Sequence, residues 1–489
     1  MRSLWVILPL LAVVAGCRSE PAARAGTGAP QARNVVVVLI DTLRADHLGS
    51  YGYQRATSPH MDALAADAVR FSAAVTSTPW TLPAMATLWT SLYPSVHGAT
   101  KRSDERSFAV DRAHFVPSSA LDDSRVTLAE VLQANGFATA AFVNGCYPGK
   151  VFGFGQGFDT FVENDAPGIR FNVEALLDWL DARRPERFFA YIHVIEVHSP
   201  YAALGESGQL RARTDAEAAR LREALAEERR RYEAIDFDPD YRGTVDGSLN
   251  TLTRLKTHGL APSARDLAHL VALYDRGIAY TDYWIGRLSD ELERRHLYGD
   301  TLFIVTADHG EEFRDHGGLE HGLTYYDELL RVPLIMRVPG YAGGQTIAEQ
   351  VGLIDVMPTI LDLVGVPNRL ALQGRSLVPL LAGKTLPDRL LYAEADVAGA
   401  RVAMRSNTIK YVETVEGKRR EAYDLARDPH ELRNLCAGDR DGCDLFADTL
   451  QAMRAEVDLA AQQLHLPPAH AAVIDARTRE RLHALGYNE

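Results

Sequence analysis

The stretch Asn34-Val-Val-Val-Val-Leu-Ile40, followed at once by Asp41, decides the fold class. It is a continuous apolar run of strand length, typical of a strand that is covered on both faces of a parallel sheet. Further apolar runs cover residues 138–143, 188–194 and 301–307, and helical patterns cover 127–134, 173–182 and 264–295. Strands that alternate with helices predict an α/β fold built on a doubly wound sheet.

The chain of 489 residues has room for one large domain and a smaller one, and its 46% hydrophobic and 24% charged residues are ordinary for a globular protein. Its formal net charge is −13. Nucleic-acid backbones are bound by clustered Lys and Arg, so this acidity argues against a nucleic-acid partner. The simplest role of the acidity is solubility.

The sequence pattern changes near residue 390. Residues 34–390 are expected to form the large domain, and residues 391–489 a smaller α+β subdomain. Within the subdomain, residues 403–413 and 421–425 predict antiparallel strands of a hairpin. The segment 211–233 is dense in Arg, Glu and Ala, and it predicts a solvated insertion helix.

The N-terminus carries a targeting signal. Arg2 precedes an apolar run that is too short to span a bilayer and that ends in Ala15-Gly16-Cys17. This ending resembles a bacterial lipobox, so residues 1–16 are predicted to be a signal peptide and Cys17 the lipidated first residue. The alternative is a plain secretory signal with a coincidental Cys. Residues 17–33, rich in Ala, Gly, Pro and Arg, predict a flexible tether.

Lipidation at Cys17 would place the protein in the cell envelope, facing the periplasm. No Asp follows Cys17, which favours the outer membrane in a Gram-negative cell. Exported chains fold in an oxidising compartment, and Cys436 and Cys443 lie close together in an Asp/Gly-rich loop. We therefore expect a small disulfide there, with Cys146 left as a reduced thiol.

Polar residues follow three of the predicted strands, at the edge of the sheet where ligands gather in open α/β folds. The clusters are Asp41, then His193, Glu196 and His198, and then Asp308-His309-Gly310-Glu311. Asp41, Asp308 and His309 offer two hard oxygens and one imidazole, which suit one divalent cation such as Ca²⁺, Mg²⁺, Mn²⁺ or Zn²⁺. Alternatively, Asp41 could cap a helix and Asp308-His309 could lie in a surface turn. Three polar clusters on one edge of the sheet, however, favour a functional site.

Thr81 is the fourth candidate. It precedes Pro83, which suits a first helical turn, and residues 84–92 are a plausible helix. By itself Thr81 would be an ordinary helix cap. A hydroxyl at a helix N-terminus beside a metal site, however, faces free N–H groups that favour an anionic substrate, and the metal makes it a better nucleophile.

Many motifs of the chain resemble the sulfatase family of the alkaline-phosphatase superfamily, in the family's order, between about residues 34 and 435. They are Asp41-Thr-Leu-Arg-Ala-Asp-His-Leu-Gly49, Tyr51-Gly-Tyr53, Thr57-Ser-Pro59, Leu92-Tyr-Pro-Ser-Val-His-Gly98, Tyr274-Asp275, Thr306-Ala-Asp-His-Gly-Glu311, Arg331-Val-Pro-Leu-Ile335, Asp355-Val-Met-Pro-Thr359 and Tyr423-Asp-Leu-Ala-Arg-Asp-Pro429. The resemblance implies an α/β/α sandwich with a C-terminal subdomain that carries an antiparallel sheet.

The resemblance also implies roles for residues. Asp41, Asp308 and His309 would hold one metal ion, Ca²⁺ by family likeness, with Thr81 beside it. His198 looks like the histidine that contacts the ester group, and His321 lies near the place of a substrate-contacting lysine. The candidate substrate-binding residues are His193, Lys150 and His316, with a surface role as the alternative for Lys150.

The chain departs from the family at the nucleophile. Sulfatases convert the Cys or Ser of Cys/Ser-x-Pro-x-Arg to formylglycine, whereas this chain has Thr81-Leu-Pro83-Ala-Met85. Threonine cannot give the aldehyde because its carbon already bears a methyl group. Thr81 is therefore expected to act directly, on a sulfate or phosphate ester of a glycan, lipid headgroup or small molecule.

Two alternatives to a sulfatase stay open. A threonine nucleophile resembles relatives in the superfamily that act on phosphodiesters or transfer phosphoalcohol groups. The other alternative is a non-catalytic lipoprotein that binds anionic glycans or lipid headgroups. A binding protein has little need for Asp41, Asp308, His309 and His198 beside a hydroxyl at a helix start, so the enzyme is favoured.

Overall fold

The computed structural model describes residues 32–100, 119–145, 147–164, 168–202, 215–257, 262–395, 401–415, 419–438, 440–467 and 471–484. The expectations for the signal peptide, Cys17, most of the tether and Cys146 lie outside these residues.

A nine-stranded mixed sheet forms the centre of the large domain. Its strands are β1 (Asn34–Ile40), β2 (Val69–Val75), β3 (Ala138–Val143), β4 (Thr160–Glu163), β5 (Phe188–Val194), β6 (Thr301–Thr306), β9 (Arg331–Arg337), β10 (Gln345–Ile347) and β11 (Val351–Gly352). Their order is β10-β2-β9-β6-β1-β5-β3-β4, and β11 also pairs with β2. Only β9 runs antiparallel to its neighbours. The predicted α/β class is confirmed.

The central position of β1 explains its sequence. It pairs in parallel with β5 on one side and with β6 on the other, and all seven of its residues are buried. A strand with neighbours on both edges and helices on both faces has no polar side, so an unbroken apolar run fits it. Asp41 follows as the first residue beyond the strand.

Helices cover both faces of the sheet. They are α1 (Pro59–Ala66), α2 (Thr81–Thr90), α3 (Pro94–His97), α4 (Leu128–Ala134), α5 (Ile169–Arg183), α6 (Asp215–Ala234), α7 (Leu249–Thr257), α8 (Ala264–Arg294), α9 (Asp327–Leu330), α10 (Val356–Leu363) and α11 (Val378–Leu381). On one face α1, α5 and α6 contact α8, and on the other α3, α4 and α10 contact α2. A short hairpin, β7 (Glu312–Phe313) and β8 (Leu319–Glu320), follows β6.

Side-chain caps explain where two predicted helices begin. Thr127 caps α4 and Ser263 caps α8, each in a reciprocal capping box with the acidic residue three positions later, Glu130 or Asp266. Such boxes satisfy two backbone N–H groups that a helix start leaves unpaired. Within the described parts of the chain, no helix is both long and apolar enough to cross a membrane.

The C-terminal subdomain is built on a four-stranded antiparallel sheet. Its elements are β12 (Leu391–Ala395), β13 (Arg401–Arg405), β14 (Ile409–Thr414), β15 (Arg420–Asp424), α12 (Arg440–Leu464) and α13 (Ala476–Ala484). The run 403–413, expected as one strand, is two strands, because the Ser406 hydroxyl accepts the N–H groups of Thr408 and Ile409 and turns the chain. Cys436 and Cys443 form a disulfide.

The end of the described chain returns to the large domain. Ala471 forms a β-bridge with Ser119, and Arg125 donates a hydrogen bond to the carbonyl of Pro467. Leu482 in α13 is buried in the core of the large domain. The two domains therefore share more than the single connection near residue 390.

A buried ionic cluster also joins the domains. Asp327, at the start of α9, pairs with Lys410 of β14 (Oδ1 to Nζ, 2.9 Å) and with Arg405 of β13 (Oδ2 to Nη2, 2.6 Å). Lys410 also contacts Glu431 at 2.8 Å and is fully buried. Although burial raises the pKa of Asp327, the charges of Arg405 and Lys410 hold it far below its usual value. The cluster fixes the segment before α9 against the subdomain.

Replacing Lys410 with methionine is expected to lower the free energy of unfolding by about 3–5 kcal/mol, because two buried carboxylates lose their shared partner. Equilibrium unfolding in urea measures the change. The matched control is Lys384→Met, since Lys384 is exposed. A change below about 1 kcal/mol for Lys410→Met would contradict this role.

Candidate active site

Two carboxylates and an imidazole meet at the carboxyl edge of the sheet. Asp41 follows β1, and Asp308 and His309 follow β6, the strand beside it. His309 Nε2 lies 3.7 Å from Asp41 Oδ1 and 3.4 Å from Asp308 Oδ2. All three residues are buried. The structure thus brings together the three residues that the sequence offered as metal ligands.

The turn after β1 holds Asp308 in place. Thr42 has a φ of 58°, which is uncommon for a β-branched residue and places its backbone N–H toward Asp308 Oδ1, at 3.2 Å. The Tyr274 hydroxyl donates to the carbonyl of Thr42 at 2.7 Å. On the other side, a Cβ on Gly310 would lie 1.9 Å from the carbonyl oxygen of Glu328, so this position requires glycine. Backbone contacts at Thr42 and Gly310 therefore fix the position of Asp308.

The donor atoms fit a divalent ion. Ion–ligand bonds of about 2.0–2.5 Å place neighbouring ligand atoms roughly 3–4 Å apart. One ligand atom from each of these three residues lies within 4.8 Å of the other two, and His309 Nε2 lies 3.7 and 3.4 Å from the two carboxylates. Asp41 Oδ1 and Asp308 Oδ2 are buried and have no hydrogen-bond partner among the described residues. His309 Nδ1 donates to the carbonyl of Gly310 at 2.9 Å, which leaves Nε2 with the lone pair that a metal needs.

Charge crowding supports the same conclusion. Burial, and then the charges of Asp308 and Glu311, raises the pKa of Asp41 well above its usual value, although a hydrogen bond with Thr81 acts in the opposite direction. Two adjacent buried carboxylates are costly unless a cation balances them. A divalent ion would supply that balance.

Thr81 lies beside this cluster. Its Oγ1 is 3.3 Å from His309 Nε2, and the residue is buried. Thr81 was expected to be the cap of α2, but the helix begins one residue earlier: Trp80 occupies the cap position and Thr81 is the first helical residue. No side chain makes a capping hydrogen bond there. The hydroxyl is thus directed to the candidate metal ligands and is not used to cap the helix.

Two further histidines extend the cluster. The rings of His309 and His321 are 4.6 Å apart between centroids, and those of His321 and His198 are 4.9 Å apart. His198 Nδ1 donates to the carbonyl of Ser199. Burial, and then the proximity of His321, lowers the pKa of His198 to about 3, so this ring is neutral.

His193 approaches Asp41 from the opposite side. Its Nε2 is 3.8 Å from Asp41 Oδ2, and the ring is fully buried. Burial lowers the pKa of His193 to about 4, although a hydrogen bond with the backbone of Asn144 acts in the opposite direction. His193 therefore adds a neutral imidazole beside Asp41.

Glu311 is a member of this site to which the sequence assigned no role. Its Oε1 lies 2.9 Å from His321 Nδ1, and its Oε2 accepts a hydrogen bond from the Tyr201 hydroxyl at 2.8 Å. Burial raises the pKa of Glu311 to about 7. Its place two residues after His309 was visible in the sequence, but its partner His321 follows only ten residues later, in an irregular segment.

The structure does not bring His316 or Lys150 to the cluster. His316 stacks on Tyr326, its Nδ1 lies 2.6 Å from Glu328, and its Nε2 faces the carbonyls of residues 430 and 431. Although burial lowers the pKa of His316, Glu328 raises it to about 9. His316 thus joins the domains. Lys150 is exposed, and its Nζ lies over the ring of Phe161.

The fold and the cluster define an α/β protein with a metal-type ligand set and a hydroxyl at the carboxyl edge of its sheet. The sequence profile of the sulfatase family matches residues 33–366, and that of the C-terminal part of N-sulphoglucosamine sulphohydrolase matches residues 315–456. The chain belongs to the sulfatase family.

The individual relatives share between a fifth and a third of their aligned residues with this chain. Choline-sulfatase of Rhizobium meliloti (strain 1021) is 33% identical over 211 residues, which are 42% of this chain and 40% of that protein. A Δ4,5-hexuronate-2-O-sulfatase of Bacteroides thetaiotaomicron is 21% identical over 84% of this chain and 86% of its own. The crystal structure of the phosphonate monoester hydrolase of Agrobacterium radiobacter shares the fold, with a TM-score of 0.65, 23% identity, and coverage of 87% and 96% of the two chains.

Divalent ions are expected to raise the melting temperature of the wild-type protein, and at 100 times the dissociation constant the stabilisation is about 2.7 kcal/mol. Asp308→Asn should abolish this response. Without metal, the variant should be at least as stable as the wild type, because it removes the repulsion with Asp41. Thermal unfolding and elemental analysis, for each candidate ion, measure both effects.

The control for that experiment is Asp362→Asn, which changes an exposed carboxylate. A metal response that persists in Asp308→Asn would exclude Asp308 as a ligand.

Proposed function

We propose that the protein hydrolyses sulfate or phosphate esters and that Thr81 Oγ1 is its nucleophile. The observation that carries this proposal is the position of Thr81 at the start of α2, buried and 3.3 Å from His309 Nε2. A threonine that served only to start a helix would use its hydroxyl on the helix backbone. This hydroxyl instead faces a cluster whose composition suits an anionic substrate and a cation.

The surroundings activate and orient the reacting groups. A divalent ion held by Asp41, Asp308 and His309 would lower the pKa of a neighbouring hydroxyl and offset negative charge on the ester. The N-terminus of α2 adds the positive end of its helix dipole on the same side. His193 offers a buried ring nitrogen to an ester oxygen. The site is recessed, so charges act there with little screening by water.

The proposed reaction has two displacements. Thr81 Oγ1 gives its proton to water and attacks phosphorus or sulfur, while the bond to the leaving oxygen breaks and a histidine, His198 or His321, protonates that oxygen. Water then attacks the ester of Thr81, the bond to Oγ1 breaks, and a proton from that water restores the hydroxyl. The first step exchanges one ester for another, the second hydrolyses the Thr81 ester to the free acid, and neither needs a redox partner.

The threonine favours phosphorus over sulfur. Formylglycine enzymes release sulfate from a geminal diol, and Thr81 cannot form one because its side-chain carbon bears a methyl group. An ester of Thr81 must therefore be cleaved by water at the central atom, as phosphate-transferring enzymes with hydroxyl nucleophiles do. The candidate activities are therefore cleavage of phosphodiesters or phosphonates, transfer of a phosphoalcohol group, and release of sulfate.

We further propose that Cys17 is lipidated and that the protein is tethered to a membrane, where it acts on esters such as those of glycans. The N–H groups of Ala32 and Arg33 donate to the carbonyls of Leu363 and Asp300, so the chain enters β1 at the amino edge of the sheet. Asp41 follows the other end of β1, about 20 Å away at 3.3 Å per residue. The described chain therefore begins at the edge of the sheet opposite the site.

Thr81→Ala should abolish turnover, by at least about a thousand-fold, whereas Thr81→Ser should retain part of it, because serine keeps the hydroxyl. Rates on nitrophenyl sulfate, phosphate monoester, phosphodiester and phosphonate identify the reaction. Thr90→Ala is the control at the other end of α2, where Oγ1 donates to the carbonyl of Ala86 within the same helix. Equal rates for wild type and Thr81→Ala would show that Thr81 is not the nucleophile. Metal binding without turnover of any ester would favour the alternative of a non-catalytic binding protein.

Cys17→Ala should move the protein from the membrane fraction to the soluble fraction of the cell, with unchanged turnover of a soluble ester. Fractionation followed by immunoblotting measures the distribution, and mass spectrometry of the wild-type N-terminus detects the lipid. An unmodified Cys17 in the wild type would exclude the anchor.

A further inference from the structure

Lys256 brings a positive charge to the border of the candidate active site. It lies in the last turn of α7, in the segment that connects β5 to α8, and its Nζ pairs with the carboxylate of Glu320. Glu320 ends β8 and directly precedes His321, whose ring lies 4.6 Å from that of the candidate metal ligand His309 between centroids. The ion pair therefore lies next to a residue that borders the metal-type cluster.

The end of α7 is fixed to the β7–β8 hairpin. The guanidinium of Arg314 donates to the carbonyl of Leu255 at 3.2 Å and also to the carbonyl of Gly317. A cation at this end of a helix faces the negative end of the helix dipole, which favours the contact. Leu252 and Leu255 are buried in the core of the large domain. The backbone that carries Lys256 is thus held against the hairpin.

The ion pair of Lys256 and Glu320 differs from the buried ion pairs of Lys410. The side chain of Lys410 is fully buried, whereas 32% of the side chain of Lys256 is exposed. A solvent-exposed ion pair stabilises a fold by only about 0–1 kcal/mol, because water screens the charges and the side chains lose entropy. The fold therefore has little need of a charge at this position, and a solute can reach the ammonium from the solvent.

The charge of Lys256 also acts on the site. Burial raises the pKa of Glu311, which lies 2.9 Å from His321, and the charges of two site histidines and of Lys256 act in the opposite direction. The turn and the hairpin that follow β6 carry further carboxylates, those of Glu312, Asp315 and Glu320. An anionic group that approaches this hairpin meets their negative charge, and Lys256 offsets it.

The alcohol part of the ester lies on this side of the site. In the proposed reaction the leaving oxygen faces His198 or His321, whose rings are 4.9 Å apart between centroids. Lys256 pairs with the residue next to His321, so it is a cation that the alcohol meets beyond these rings. A lysine suits such a contact, because its ammonium stands on a flexible stem and can change partners.

We propose that Lys256 determines specificity by binding a second anionic group, such as a carboxylate, on the alcohol part of the ester. Glu320 holds the ammonium until the substrate enters, and the anionic group of the substrate then takes its place. The inference rests on the proposed function, because the cluster around Asp41 would hold the first anionic group, the ester itself. The preferred substrate is thus an ester whose alcohol carries a further negative charge.

Arylphosphonates test the inference by binding alone. Phenylphosphonate stands for an ester with a neutral alcohol. Its carboxyphenyl analogues, with the carboxylate at ring position 3 or 4, add a negative charge to the part that stands for the alcohol. None of these compounds has an ester bond to cleave. Isothermal titration calorimetry of the full chain, in the presence of each candidate divalent ion, gives their dissociation constants.

Lys256→Met should raise the dissociation constant of a carboxyphenyl compound about ten-fold or more, and that of phenylphosphonate by less than about two-fold, because only the first loses an ion pair. Glu320→Gln should lower the dissociation constant of the carboxyphenyl compound, since its competitor for the ammonium is gone. Opposite effects of the two variants distinguish a substrate contact from a structural role, which would change the binding of all three compounds alike.

Arg254→Met is the matched control. Arg254 is an exposed cation in the same last turn of α7, so this variant removes the same charge from the same helix. All the dissociation constants should stay within about two-fold of the wild-type values at physiological salt, which screens exposed charges that do not contact the ligand.

Equal changes for phenylphosphonate and both carboxyphenyl compounds in Lys256→Met, or no change for any of them, would overturn the role of Lys256 and leave the proposed function standing. Weaker binding of the carboxyphenyl compounds to Glu320→Gln would overturn it as well. A wild type that binds none of the three with any ion would contradict the proposed function and, with it, this inference. Turnover by Thr81→Ala at the wild-type rate would contradict only the choice of nucleophile, because the binding of these compounds needs no nucleophile.

Discussion

Two carboxylates, Asp41 and Asp308, lie side by side in the interior, and among the described residues their ion-pair partners are histidines. Removing such charges from water costs several kcal/mol for each ion, and their repulsion adds to the cost. The surrounding fold must therefore be stable enough to hold them, and a bound cation would offset their charge. The buried nine-stranded sheet provides the first condition, because its central strand β1 is covered on both edges and both faces.

The position of the site follows from the parallel strands. β1, β5 and β6 are neighbours that run in the same direction, so the residues that follow them meet at one edge. A helix start, that of α2, faces the same place with Thr81. Residues that are far apart in sequence, such as Asp41 and Asp308, become adjacent for this reason alone. The same principle accounts for substrate sites at the carboxyl edge of other open α/β sheets.

The C-terminal subdomain contributes to the site from a distance. His321 lies in a segment with little regular structure between β8 and α9, and residues on either side of this segment are held by contacts to the subdomain. After the segment, Asp327 pairs with Lys410 and Arg405. Before it, in the β7–β8 hairpin, His316 is held by Glu328 and by the carbonyls of residues 430 and 431. These contacts explain how an irregular segment can present His321 at a defined place.

The chain belongs to the sulfatase family but has a threonine, Thr81, at the position of the family's nucleophile. The metal-ligand residues of the resemblance are present and lie together, yet the position of formylglycine holds a threonine whose hydroxyl contacts His309. The chain therefore keeps the residues with which the family's site would hold a metal ion beside an ester. It differs in the atom that would attack that ester, which is why the choice between sulfur and phosphorus needs the assay with Thr81 variants.

The sequence by itself determined the α/β class, four of the buried strands, the main helices and the identities of Asp41, Asp308, His309 and Thr81, because these depend on local periodicity and on motifs within a few residues. Tertiary structure decided the rest. Strands β2, β4, β9, β10 and β11 were not predicted, the run 403–413 hid a turn, and Glu311 acquired a partner only when the segment after β8 folded back. The tertiary structure also showed that His321 lies at the site and His316 does not. The sequence could not distinguish them, because hydrogen-bond partners at long range determine whether a histidine is structural or faces the site.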